Sequence, residues 1–97
     1  MARTVRLTPR FIEGLRACGV TRGSEASAAV GATLAALAEA SELPGLLDTE
    51  ALIPPTGRAL VRRVPGRNLW LWYKANEAEI VAIRALRVPP MPIVRDE

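Results

Sequence analysis

The sequence predicts an α+β domain with the element order β-α-α-β-β-β, a helical hairpin packed on a small, mainly antiparallel twisted sheet. Two observations lead to this fold class. Residues 9–40 carry apolar side chains at helical spacing, and residues 59–86 form three short apolar runs separated by two tight turns. A chain of 97 residues is large enough for one domain, placed at 1–97, with a Pro-rich tail at 89–97.

The chain opens with a strand followed by a helix. Thr4–Leu7 alternates apolar and polar residues and is a short strand candidate. Thr8 is placed to cap a helix that starts at Pro9, because proline suits the first helical position. Gly19 is a natural stop, so we predict a helix over Pro9–Cys18.

The second helix is rich in alanine. Ser24 is placed as its N-cap, and the apolar spacing predicts helix over Glu25–Ala40. Because alanine and Gly31 allow close approach, we expect this helix to lie tightly against the first one. Ser41–Gly57 contains the breakers Pro-Gly and Pro-Pro and is predicted to be an apolar connector.

The last third is predicted to be a three-stranded antiparallel meander. Its strands are Ala59–Val64, Leu69–Lys74 and Glu79–Leu86, joined by turns at 65–68 and 75–78. The middle strand is apolar on both faces, so both faces need cover. The helices supply one cover, and the tail, a partner or a substrate supplies the other. Three prolines keep the tail extended, either across the sheet or away from it.

Composition excludes several functions. There is no histidine and only one cysteine, which removes Ser-His and Cys-His nucleophile pairs, His-ligated zinc and thiolate metal clusters. No glycine-rich nucleotide fingerprint is present, so we expect neither a metal nor a small-molecule cofactor. No apolar run approaches the ~20 residues of a membrane span, and the N-terminus lacks the apolar core of a signal peptide. We therefore expect a cytoplasmic protein with no membrane partner.

Charge is concentrated in the meander. Residues 1–57 carry five Arg and six acids, a net charge of −1, whereas residues 58–97 carry seven Arg and one Lys against four acids, a net charge of +4. Aromatic side chains lie among these cations, and such a combination suits a polyanion or an acidic partner. The residues concerned are Arg58, Arg62, Arg63, Arg67, Trp70, Trp72, Tyr73 and Lys74.

This order of elements resembles that of the RelE/ParE superfamily, the toxins of bacterial type II toxin–antitoxin systems. Tyr73-Lys74, the acidic turn after it and the Ile/Val strand ending at Arg87 are similar to the ending of the family. The segment 64–68 resembles the turn before its middle strand. Two positions differ: Leu69 or Trp70 stands where many members carry Arg, and Arg87 stands where His is usual.

The resemblance implies a growth-inhibiting toxin that a cognate antitoxin neutralises. Its target would be either mRNA on the ribosome or DNA gyrase. If the chain is an enzyme, it would be a metal-independent endoribonuclease in which cations stabilise the phosphate and a proton is moved by Lys74 or Tyr73. The candidate catalytic residues are Arg62, Arg63, Tyr73, Lys74, Arg84 and Arg87.

Two other functions remain open. The chain could be a non-catalytic protein-binding module, with Trp70 and Trp72 as anchors and Arg58 and Arg67 as further partner contacts. It could also be a nucleic-acid-binding protein that uses the basic meander, in which case its affinity would fall steeply with salt.

Overall fold

The computed structural model describes residues 2–52 and 57–90 and has an α+β fold with two helices and an open five-stranded mixed sheet. The elements are β1 (Thr4–Leu7), α1 (Pro9–Ala17), α2 (Glu25–Glu39), β2 (Asp48–Leu52), β3 (Arg58–Arg63), β4 (Trp70–Ala75) and β5 (Glu79–Leu86). In space the strands run β1-β5-β4-β3-β2. β1 is parallel to β5, and the other neighbours are antiparallel.

Local sequence signals define the helix ends. The Thr8 hydroxyl oxygen accepts a hydrogen bond from the Phe11 amide, and that of Ser24 accepts one from the Ser27 amide. Both predicted N-caps are therefore confirmed. Gly19 follows α1 with φ +77°, a conformation that glycine adopts without strain.

Both helices lie on one face of the sheet, which we call the inner face. The core between them and the sheet contains Phe11, Leu37, Leu71, Tyr73 and Ile80, all fully buried. The opposite face is the outer face. Its apolar residues form a second cluster around Val61 and Trp72.

The predicted helical hairpin is wrong in its packing. α1 lies against β5, and α2 contacts β1 and β5, so the two helices do not pack tightly on each other. Gly14 explains the position of α1, because a Cβ atom there would lie 2.7 Å from the Ala85 carbonyl oxygen. The helix backbone thus sits directly on the strand, and a groove is left between α1 and α2.

The predicted connector over Ser41–Gly57 is also wrong in part, since β2 lies within it. β2 pairs with β3 and places Asp48 opposite Arg62. The predicted tail begins beyond β5 with Pro89 and Pro90. Its remaining part, residues 91–97, lies outside the described residues, so its predicted course stays a prediction.

Candidate functional site

The outer face carries the aromatic and cationic residues that the sequence singled out. Strand alternation points Trp70 and Trp72 to this face, where they pack with Val61 of β3 and with Ile83 and Leu86 of β5. Trp72 is only 7% exposed, whereas Trp70 is half-buried. Trp70 is therefore the aromatic side chain that a partner could reach.

Arg63 lies over Trp70 with its guanidinium carbon 5.4 Å from the ring centroid, a cation–π contact. Its Nε donates to the Arg67 carbonyl oxygen at 2.7 Å, and its Nη2 donates to the Asn68 Oδ1 at 3.1 Å. These bonds to the β3–β4 turn hold an exposed guanidinium in a fixed orientation. Arg63 and Trp70 thus form a preorganised cationic and aromatic pair.

A β-bulge in β5 adds another cation to the same face. Trp72 lies opposite Arg84 while Tyr73 lies opposite Ala82, so Ile83 is the extra residue. Ile83 packs in the outer cluster, and Arg84 shares that face with its cross-strand neighbour Trp72. Arg84 makes no ion pair with any described residue. Arg84 also lines a cavity next to α1.

The Trp72 indole N–H is buried, and no residue that the structure describes accepts a hydrogen bond from it. A buried donor without a partner costs roughly 1–3 kcal/mol, which makes this atom unusual in a folded protein. The outer face therefore contains a buried hydrogen-bond donor, the Trp72 indole N–H, without an acceptor among the described residues.

Arg62 lies on the inner side, away from Arg63, as the alternation of β3 predicts. Its Nε and Nη2 donate to the two oxygens of Asp48, each at 2.8 Å, and the Gly45 amide donates to Asp48 Oδ2 at 2.6 Å. The Asp48 side chain is fully buried, whereas 14% of the Arg62 side chain is exposed. Asp48 neutralises Arg62 in a bidentate ion pair. The Arg62 guanidinium is therefore already occupied by a side chain of the protein.

Tyr73 is fully buried beside this ion pair. Its hydroxyl interacts with the Asp48 carboxylate but forms no hydrogen bond of normal geometry with any described residue. Burial raises the pKa of Tyr73 far above its ordinary value, and Asp48 raises it further, although Arg62 and Arg3 act in the opposite direction. The hydroxyl therefore stays protonated at neutral pH.

Lys74 and Arg58 lie at the rim of a cavity of about 360 Å³, which Tyr73 and Glu50 also line. Lys74 is exposed and forms no ion pair with a described residue. Arg58 Nη1 lies 3.9 Å from Glu50 Oε2 at the surface. Of the two candidates for proton transfer, Lys74 is exposed to solvent, whereas Tyr73 is fully buried.

Arg87 and Arg67 lie at the opposite end of the meander. They border a cavity of about 310 Å³ together with Cys18 and Asn68. Arg87 donates from both Nε and Nη2 to the Cys18 carbonyl oxygen at the end of α1. Arg67 Nη2 lies 3.9 Å from Glu25 Oε2.

The predicted catalytic residues thus fall into separate places. Arg63 and Arg84 share the outer face, and Arg62 and Tyr73 lie on the inner side. Lys74 lies at the rim of a cavity, and Arg87 caps α1. Sequence reasoning did not identify Asp48, which organises both Arg62 and Tyr73. An acid placed directly after Leu46-Leu47 in the predicted connector was the signal available.

Within residues 2–52 and 57–90, no group of three or more His, Cys, Asp or Glu side chains could hold a metal ion. In the same part of the chain, no helix is long and apolar enough to cross a bilayer. Comparisons with protein-family models, with curated proteins and with solved structures give no match for this chain.

Proposed function

We propose that this chain is the toxin component of a type II toxin–antitoxin system, and that it inhibits growth by binding its target rather than by cutting RNA. The element order and the β4–β5 sequence, which resemble the RelE/ParE superfamily, support the class. DNA gyrase is the target that this mode of action favours. A cognate antitoxin would neutralise the protein.

One observation carries the preference for binding over cleavage: the predicted catalytic cations are dispersed and mostly engaged by the protein. Arg62 is neutralised by Asp48, and Arg87 is bonded to Cys18. Phosphoryl chemistry needs several positioned groups around one phosphate, and dispersed groups do not supply them. The Arg63–Trp70 pair, by contrast, has the composition of a protein-binding hot spot.

Two assays with the purified protein test this proposal. We expect inhibition of DNA supercoiling by gyrase, and intact mRNA in a reconstituted translation reaction. The variant Trp70→Ala removes the half-buried aromatic anchor and should lose at least tenfold in potency. Glu77→Ala, in the turn after β4, is a matched control at an exposed position and should retain full potency.

Ribosome-dependent cleavage of mRNA would instead favour the endoribonuclease alternative, with Lys74 as the first residue to replace. The absence of any effect on gyrase and translation would overturn the proposal. It would leave the non-catalytic module as the remaining candidate. The exposed Arg63 guanidinium over Trp70 favours that candidate as a binder of an acidic protein, while steep salt dependence would indicate nucleic acid.

A further inference from the structure

We propose that β2 pairs with β2 of a second copy of this chain, so that two sheets join edge to edge in a two-fold symmetric dimer. The surface concerned, which we call the β2 edge, is β2 together with the turn before it, residues 46–52. It is distinct from the Arg63–Trp70 pair, and the inference does not depend on the proposed target.

The β2 edge is open to another strand. β2 is the last strand of the sheet, and no described strand pairs with it on the side away from β3. The backbone amide and carbonyl groups on that side are the ones that a further strand would bind. At the opposite edge of the sheet, β1 carries the exposed cation Arg6, and charged side chains discourage pairing between edges. β2 contains no lysine, arginine or proline, so it lacks that protection.

Exposed leucines lie along the same edge. Leu46 is fully exposed, Leu47 is 73% exposed and Leu52 is 58% exposed. Leu46 and Leu47 belong to the turn that leads into β2, and Leu52 is its last residue. Large apolar side chains that cluster in water mark a surface that another protein covers.

The sequence of the β2 edge identifies the occupant as a second copy, because it is nearly palindromic. Residues 46–52 read Leu-Leu-Asp-Thr-Glu-Ala-Leu. In an antiparallel pair centred on Thr49, Leu46 meets Leu52 of the second copy, Leu47 meets Ala51, and the two threonines meet each other. Apolar residues thus meet apolar residues, and paired threonines are favourable across strands. A two-fold symmetric interface requires this self-complementarity.

The charges of the β2 edge also fit a second copy. In this register Asp48 lies opposite Glu50 of the other chain, but each acid already has a cation of its own. Arg62 binds Asp48 through two hydrogen bonds, and Arg58 Nη1 lies 3.9 Å from Glu50 Oε2. These four side chains sum to zero charge, so the edge does not select a charged peptide or a nucleic acid. A partner helix would cover the leucines but would leave the backbone groups of the edge unpaired.

Sedimentation velocity of the purified full chain tests the inference. Because the pairing segment is short, we expect a monomer–dimer equilibrium with a Kd on the order of 10 μM. Leu46→Glu should weaken dimerisation at least tenfold and should melt at the wild-type temperature, since the Leu46 side chain is fully exposed. The matched control is Val88→Glu, which changes an exposed apolar residue beyond β5, separated from β2 by β3 and β4. It should dimerise within threefold of wild type.

A disulfide tests the register. Thr49 is exposed, and opposite residues of an antiparallel pair have Cα atoms roughly 4.5–5.5 Å apart, which a disulfide can bridge. In a Cys18→Ala background, Thr49→Cys should therefore form a covalent dimer on mild oxidation, while Arg6→Cys at the other edge should stay monomeric on a non-reducing gel. A wild-type chain that is monomeric at about 100 μM would overturn the inference. So would dimerisation that Leu46→Glu leaves unchanged, or equal cross-linking of the two cysteine variants.

Discussion

Asp48 holds together the inner side of the β2–β3 edge of the sheet. Its carboxylate accepts three hydrogen bonds, from Gly45 and Arg62, and is fully buried. Removing one partner of a buried pair leaves the other charge uncompensated, which costs more than the pair itself contributes. The alternation of Arg62 and Arg63 was predictable from strand periodicity. The pairing with Asp48 was not, because it depends on a strand that the sequence did not reveal.

We predict that Asp48→Ala lowers the free energy of unfolding by about 3–5 kcal/mol, because Arg62 is then buried without a counter-ion. Urea denaturation monitored by tryptophan fluorescence measures this loss. The control is Arg58→Ala, which removes a surface pair with Glu50 and should cost less than about 1 kcal/mol. Equal losses in the two variants would contradict the account.

The buried Tyr73 predicts a loss of stability in alkali. Its folded-state pKa lies above the unfolded value near 10, so folding favours the protonated hydroxyl. Above pH ~10 the unfolded chain binds fewer protons than the folded one, and the free energy of unfolding therefore falls as pH rises. Because Tyr73 is the only tyrosine, absorbance near 295 nm reports its ionisation directly. It should ionise only together with unfolding.

The matched variant for this titration is Tyr73→Phe, which removes the group and keeps the ring. Its stability should decline less steeply above pH ~10 than that of the wild type. Ionisation of Tyr73 near pH 10 in the folded protein would show that the hydroxyl is exposed to solvent.

At the scale of elements, the decisive contact is α1 against β5. Gly14 lies against the Ala85 backbone, while Gly31 of α2 faces open space, although both glycines occupy helix interiors. The sequence showed two helices and a meander, and the structure confirms both. It did not show which helix packs on which strand, because close backbone contact leaves no hydrophobic pattern. β2 was hidden for another reason: its residues alternate poorly, with Asp48, Thr49 and Glu50 in succession.

These two glycines give opposite predictions for the same substitution. Gly31→Ala should raise the free energy of unfolding by about 0.5–1 kcal/mol, the helix-propensity difference. Gly14→Ala should lower it by roughly 1–3 kcal/mol, because its Cβ would press on the Ala85 carbonyl, which is backbone and cannot turn aside. Thermal or urea denaturation of both variants measures the difference, and a stabilised Gly14→Ala would contradict the proposed packing of α1.

At the scale of the molecule, the domain presents two distinct surfaces. The outer face of the sheet presents Trp70 beside Arg63, which the β3–β4 turn holds in place, and Arg84, which forms no ion pair with a described residue. The helical side presents an apolar groove that Arg16 and Arg22 also line. The sequence predicted the first surface from the mixture of aromatic and basic residues in the meander. The sequence could not predict which cations are already engaged within the protein. Arg62 is bound by Asp48 and Arg87 by the Cys18 carbonyl oxygen, and both partners lie far away along the chain.

Growth of bacteria that express the full chain from an inducible promoter, without any partner, tests the central proposal most directly. We predict arrest by the wild-type protein, and normal growth when Trp70→Ala is expressed at the same soluble level. Normal growth with wild-type protein that is soluble and folded would contradict the proposed toxin function. Equal arrest by Trp70→Ala would contradict the assignment of that function to the outer face.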